Sequence, residues 1–94
     1  MKVQNMTSNR SGREVANQFI ITDDQGTTYF RSYNSIIAKV EPGHPLHQQV
    51  ILDKVYWDYS KTTGKYRNQF LGETKKETER KIKEGIYILE NLNI

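Results

Sequence analysis

The period of the hydrophobic pattern changes at Tyr59, and this change constrains the fold more than any other feature of the chain. Before it, short runs rich in β-branched and aromatic residues alternate with turn residues, which predicts strands. After it, apolar residues recur every three or four positions, as on one face of a helix. The 94 residues therefore predict an α+β fold, with a mainly antiparallel sheet and one or two short helices in the C-terminal half.

The strands are predicted from short runs of suitable residues. Asp23–Gly26 joins the first two runs with residues typical of a hairpin turn. In the third run, Ile36, Ala38 and Val40 alternate with other residues and are expected on the buried face. Glu41–His47 contains both prolines and a glycine, which predicts a loop. The predicted strands are Gln18–Thr22, Thr27–Tyr33, Ile36–Glu41, Gln49–Asp53, Val55–Asp58 and Ile86–Leu89.

A first helix is predicted at about residues 60–71. Tyr59, Thr63, Tyr66 and Phe70 would share one face of it. The alternative is a hairpin whose loop is Thr62-Thr-Gly-Lys65, because a glycine inside a helix costs about 1 kcal/mol relative to alanine. The helix is the preferred interpretation, and the hairpin stays open at this point.

A second helix is predicted over residues 74–84, with clear start and stop signals. Thr74 and Glu77 have the spacing of a capping box, in which each side chain binds a free N–H of the first turn. Gly85 stands where a left-handed residue ends a helix, and Ile86 is its expected apolar partner. A strand should follow, since Ile86–Leu89 is apolar.

Composition limits the size of the core and the classes of protein that fit. Only 35% of residues are hydrophobic and the mean hydropathy is −0.80, so the core should be thin, which leaves room for homo-oligomerisation. Residues 1–14 are polar and aperiodic and predict a flexible arm or an edge that orders late, followed by a single domain over residues 15–94. The chain has no cysteine, which excludes disulfides and cysteine-bound zinc. No run resembles a signal peptide or reaches the roughly 18–20 apolar residues of a membrane helix, so a cytoplasmic protein is expected.

Charge is distributed unevenly along the chain. Eight basic and three acidic residues lie between Lys61 and Lys83, whereas the rest of the chain has a net charge of −2. This segment predicts an anionic partner, against the alternative of a solvated helix whose charges pair with each other. The predicted binding surface consists of Lys61, Lys65, Arg67, Lys75, Lys76 and Arg80, with Tyr59 and Tyr66 as contact anchors.

Nucleic acid is one possible partner of this segment. Two helices joined by Gly72-Glu73 have the outline of a helix-turn-helix, with Lys75, Lys76, Thr78 and Glu79 near the start of the second helix. The outline lacks a third helix and an apolar docking face. The aromatic residues beside it could stack on the bases of a single strand, or they could form the core. The residues in question are Tyr56, Trp57, Tyr59, Tyr66 and Phe70.

Enzymatic and metal-dependent functions have little support in the sequence. His44 and His47 have a spacing that is usual for ligands on a helix, but here they lie in the Pro/Gly loop. Gly64-Lys65 lacks the upstream glycines of a phosphate-binding loop. We therefore predict no catalytic residue, no metal site and no cofactor.

Three segments resemble a family of small proteins found in bacteriophages and other mobile elements of Gram-positive bacteria. They are Tyr29–Lys39, YWDYSKTTGKYRNQFLG at Tyr56–Gly72, and Lys81–Asn93, and the likeness covers roughly residues 15–93. The middle segment is the most specific. No activity is established for that family, so the resemblance assigns a role to no individual residue.

The resemblance implies a phage-type accessory protein that inhibits a host defence system, such as a CRISPR nuclease, by stoichiometric binding. Its target would be a host protein or nucleoprotein. Imitation of DNA is not expected, because a pI near 9.2 and a net charge of +3 have the wrong sign. The alternative is a small DNA- or RNA-binding regulator that uses the same residues. A third possibility is a protein that sequesters a small anionic signalling molecule.

Overall fold

A six-stranded sheet and two helices form the part of the chain that the structure, a computed structural model, describes, namely residues 1–43 and 49–93. This arrangement confirms the α+β prediction. The elements are β1 (Lys2–Thr7), β2 (Glu14–Thr22), β3 (Thr28–Ser32), β4 (Ser35–Glu41), β5 (Gln49–Asp53), α1 (Lys61–Leu71), α2 (Lys75–Lys83) and β6 (Ile88–Glu90).

The strands lie in the sheet in the order in which they occur along the chain. Each of the first five is antiparallel to its neighbour, whereas β6 is parallel to β5. A parallel neighbour requires a long crossover connection, which here contains both helices. The structure thus confirms a mainly antiparallel sheet with its helices in the C-terminal half.

Two predictions at the margins of the sheet need correction. Residues 1–14 are not a flexible arm but, as in the alternative interpretation, an edge of the sheet, because they contain β1, which pairs with β2 and buries Met6. The strand predicted at Val55–Asp58 is also wrong, because the chain turns there. The Asp53 carboxylate accepts hydrogen bonds from the backbone N–H groups of Val55 and Tyr56, at 3.0 and 2.8 Å, and this holds the turn.

The core lies between one face of the sheet and the helices. Phe30, Ala38 and Leu52 from the three central strands are fully buried. Ile36, Ala38 and Val40 of β4 were expected on the buried face. Ala38 and Val40 do face this core, but Ile36 is only half-buried and its neighbour Ile37 is fully buried. The cause is a bulge, since the pairing of β3 with β4 shifts by one residue between Phe30 and Arg31.

Both helices begin and end with specific caps. Ser60 caps α1, as its hydroxyl accepts from the Thr63 N–H at 3.1 Å, and the predicted capping box of Thr74 and Glu77 is present in α2. Gly72 and Gly85 have φ values of 70° and 78°, in the left-handed region. The helix interpretation of residues 60–71 is therefore confirmed, and the hairpin alternative is excluded.

Helix α1 packs along β3. The Thr63 and Ser32 hydroxyls are 2.8 Å apart, and the Phe70 ring stacks on Phe30 with centroids 5.8 Å apart. These contacts fix the rotation of α1, which turns Thr63, Tyr66 and Phe70 towards the sheet. In the described parts of the chain, neither helix has the length and apolar composition needed to span a bilayer.

Candidate functional site

An open cavity of about 860 Å³ lies at the start of α1. We call it the cationic groove, because the basic side chains of Lys61, Lys65, Arg67 and Lys75 line it. Four cations and one carboxylate, that of Asp58, leave it with a formal net charge of +3. The other lining residues are Asn9, Tyr59, Ser60, Gly64, Asn68 and Gln69.

The local sequence accounts for the position of the groove. The turn held by Asp53 redirects the chain after β5, and Ser60 then starts α1. Ser60, Lys61 and Gly64 all line the groove, so the N-terminal end of α1 borders it. The free N–H groups at such an end carry partial positive charge, which adds to that of the lysines.

Arg67 is a buried cation at the groove, with 1% of its surface exposed. Its Nη1 donates to the Trp57 carbonyl at 2.7 Å and to the Asp58 carboxylate at 3.0 Å, and its Nη2 donates to Asn68 Oδ1 at 3.0 Å. The guanidinium also lies 5.2 Å from the centroid of the Trp57 ring. Among the described residues, nothing accepts a hydrogen bond from its buried Nε.

Asp58 bridges two cations. Its Oδ1 is 3.0 Å from Arg67 Nη1, and its Oδ2 is 2.8 Å from Lys75 Nζ. Burial alone would raise the pKa of Asp58, but the hydrogen bonds from Lys75 and Arg67 outweigh it and hold that pKa below 3.8. The same pairing raises the pKa of Lys75 above 10.5. Asp58 and Lys75 are therefore both charged at neutral pH.

Gly64 leaves space beside the buried charges. A Cβ placed on this residue would lie 3.7 Å from Arg67 Nη2 and 3.8 Å from Asp58 Oδ1, which is ordinary van der Waals contact. The position would thus accept alanine without a clash. Its glycine keeps the groove open next to the guanidinium.

Tyr59, Lys61, Lys65, Arg67 and Lys75 of the predicted binding surface meet at the groove. Lys76 and Arg80 do not, because they line a separate depression on α2 together with Glu77 and Glu79. Arg80 also pairs with Glu84 at 3.1 Å. The predicted single surface is therefore divided into two regions.

Two of the predicted surface residues have structural positions instead. Tyr66 is only 7% exposed and belongs to the hydrophobic core, so it is not available as a contact anchor. Arg67 reaches the groove, but its charge is buried and largely paired with the protein itself. Both corrections have the same cause, since α1 turns this face towards the sheet to cover Phe30 and Ser32.

The aromatic residues near the groove divide between core and surface. Trp57 and Phe70 pack against the core, whereas Tyr56 and Tyr59 are exposed and lie edge to face with ring centroids 5.5 Å apart. Tyr59, at 46% exposure, also lines the groove. An exposed ring thus stands beside the cations.

One wall of the groove, which the β1–β2 loop provides, was not predicted from the sequence. Asn9 lies in this loop, where the Ser8 N–H donates to the Arg13 carbonyl at 2.9 Å. Gln69 Nε2 donates to the Thr7 carbonyl at 2.7 Å and so ties α1 to the end of β1. The pairing of β1 with β2 brings Asn9 here, and no local pattern signals that pairing.

One of the residues expected near the start of the second helix in the helix-turn-helix interpretation is not accessible to DNA. Thr78 is fully buried, and its hydroxyl donates to Glu73 Oε2 at 2.6 Å. Glu73 in turn accepts from Lys81 and Tyr87, both at 2.7 Å. This cluster connects α2 to the segment before β6, so that face of α2 is internal.

Among the described residues, none is assigned to metal binding or catalysis. His44 and His47 lie outside the described residues. In the remainder, no group of three or more His, Cys, Asp or Glu side chains is arranged to hold a metal ion.

Comparison with known proteins identifies a family whose function is unknown. No curated protein and no solved structure matches the chain. One family model matches residues 1–85, which include the whole of the cationic groove. On this match the chain belongs to the family of unknown function DUF8033.

Proposed function

We propose that the protein is a non-enzymatic binding protein whose cationic groove takes an anionic partner in a stoichiometric complex. In this proposal it is an accessory protein of a phage or another mobile element of Gram-positive bacteria. It inhibits a host defence system, such as a CRISPR nuclease, by occupying an anionic part of a protein or nucleoprotein target. The observation that carries the proposal is the net charge of the groove, with four cations around one carboxylate.

The charges of the groove are suited to binding because several are held in place before a partner arrives. Arg67 has three hydrogen bonds to the protein, and Asp58 fixes both Arg67 and Lys75. Ordering these side chains in a complex therefore costs little additional entropy. Lys61 and Lys65 are exposed and would supply long-range attraction, which weakens as salt is added.

The position of the charge can be tested with two matched double variants. K61E/K65E reverses two cations of the groove, and K76E/R80E makes the same change in net charge on α2. We expect K61E/K65E to elute from immobilised heparin at much lower salt than the wild type, and K76E/R80E to elute between them. Equal elution of the two variants would show that only net charge matters, and the proposal would be wrong.

A second candidate function, a DNA- or RNA-binding regulator, is favoured by the exposed ring of Tyr59 at the groove and the exposed ring of Tyr56 beside it. Capture of partners from a host lysate, with and without nuclease, separates the two functions. A protein partner that is kept after nuclease treatment and lost with K61E/K65E supports inhibition. Loss of every partner after nuclease treatment supports the regulator.

A further inference from the structure

We infer that the cationic groove is a binding site for a nucleotide unit, with its phosphate on the basic wall and its base on Tyr59. This inference rests on the proposed function and names the chemistry of the anionic ligand. A nucleotide unit can come from two sources, a free mononucleotide or one residue of a single-stranded nucleic acid. The same contacts would serve both.

The phosphate would lie between Lys61, Lys65 and the N-terminal end of α1. Backbone N–H groups at such an end and basic side chains together favour phosphate oxygens. Arg67 lies beneath the same groove and adds its positive charge there, while its guanidinium is buried and bonds to Trp57, Asp58 and Asn68.

The base would stack on Tyr59. The edge-to-face contact with Tyr56 holds the ring of Tyr59 in one orientation, although the ring is 46% exposed. Every nucleobase has a flat face that can stack on an aromatic side chain, and single-strand binding proteins combine such rings with cations. An acidic peptide would use the cations but would gain nothing comparable from the ring.

Three amide side chains line the same groove and could contact the edges of a base. Asn68 Oδ1 accepts from Arg67, and Gln69 Nε2 donates to Thr7, so these two amides are held in place. Within the described residues, the opposite end of each amide, Asn68 Nδ2 and Gln69 Oε1, makes no side-chain hydrogen bond. One donor and one acceptor thus remain, and Asn9 lies on the same groove.

The size of the groove agrees with this ligand. Its volume of about 860 Å³ falls within the range of roughly 300–1,000 Å³ that is usual for small-molecule sites. The cavity is open to solvent, so a strand could continue beyond the bound unit. Size therefore permits both sources, and binding must distinguish them.

The test uses a fluorescein-labelled DNA hexamer, dA6, for the strand and AMP for the free nucleotide. We expect the protein to raise the anisotropy of dA6 and Y59A to weaken this binding about tenfold, whereas Y59F keeps it. Y33A is the matched control, since Tyr33 is equally exposed in the turn between β3 and β4. Competition by AMP would assign the site to a free nucleotide, and binding of dA6 without such competition would assign it to a strand.

Two results would overturn the inference. One is a protein that binds neither dA6 nor AMP, and the other is a Y59A variant that binds as tightly as the wild type. The heparin experiment distinguishes this failure from failure of the proposed function. If K61E/K65E still loses heparin binding, the groove remains an anion site and only the nucleotide is excluded.

Discussion

At the scale of single residues, the protein buries two charges in different ways. The Glu73 carboxylate, 4% exposed, is fully surrounded by donors from Lys81, Thr78 and Tyr87. Arg67 is equally buried but keeps a donor without an acceptor within the described residues. A buried charge whose hydrogen bonds are all made favours one arrangement of the side chains around it. The two residues therefore differ in how completely their hydrogen bonds are made, although both belong to the basic segment.

Glu73 should make stability depend on pH. Burial alone would raise its pKa, but hydrogen bonds from Lys81, Thr78 and Tyr87 hold that pKa below 4.5. A carboxylate whose pKa is lower in the folded state stabilises the fold above its unfolded pKa, and this contribution is lost as the pH falls through the folded value. We expect E73Q to be less stable than the wild type at neutral pH and to lose less stability on acidification.

Urea unfolding between about pH 7 and pH 3 measures this difference. The variant E14Q, which changes an exposed glutamate of β2, serves as the control and should follow the wild type. Parallel pH profiles for E73Q and the wild type would contradict the role given to Glu73. At alkaline pH, Tyr87 is informative in the same cluster, because burial and the hydrogen bond to Glu73 raise its pKa to about 12.

At the scale of elements, the helices could be predicted because their signals are local. The capping box of Thr74 and Glu77 and the terminal Gly85 lie within one short segment, and the structure contains both. The strand prediction at Val55–Asp58 was wrong because it considered only the residues of that run and not the side chain of Asp53 before it. Its residues favour a strand, but hydrogen bonds from the turn to Asp53 outweigh that preference.

The glycines of α1 should respond to alanine in opposite ways. Gly64 lies inside the helix and has room for a Cβ, so G64A should raise the free energy of unfolding by up to about 1 kcal/mol. Gly72 has a φ of 70°, so G72A should lower it by about 1 kcal/mol. Chemical denaturation measures both changes. Destabilisation by G64A would show that the added methyl group disturbs Arg67 or Asp58.

At the scale of the whole molecule, the sheet order and the groove could be predicted only in part. The basic wall of the groove lies within one segment, so Lys61, Lys65 and Lys75 were found from charge alone. Asn9 and Gln69 were not, because they meet only when β1 joins the sheet. The polar composition of β1 does not predict a strand, and β1 is a strand because it pairs with β2.

The Asn93 side chain attaches the C-terminal segment to β4, in addition to the hydrogen bond that the Leu92 N–H donates to Asp53 of β5 at 2.8 Å. Asn93 accepts from the Ile36 N–H at 2.6 Å and donates to the Ile36 carbonyl at 2.7 Å, across 57 residues of sequence. We expect N93A to lower the free energy of unfolding by about 1–3 kcal/mol, because it leaves both groups of Ile36 unpaired. It should also speed hydrogen exchange at the amide of Ile36.

N91A is the matched control from the same segment, since within the described residues the Asn91 side chain makes only a local bond, in which its Oδ1 accepts from the Asn93 N–H at 3.0 Å. We expect it to change stability much less. Equal effects of N91A and N93A would mean that the segment acts through its backbone and not through the Asn93 side chain.

The two walls of the groove also set the moment of synthesis at which the groove can first form. Asn9 leaves the ribosome early, whereas Lys75 is translated 66 residues later. At a synthesis rate of roughly 5–20 residues per second, several seconds separate them. A growing chain therefore has no complete groove until Lys75 has been made.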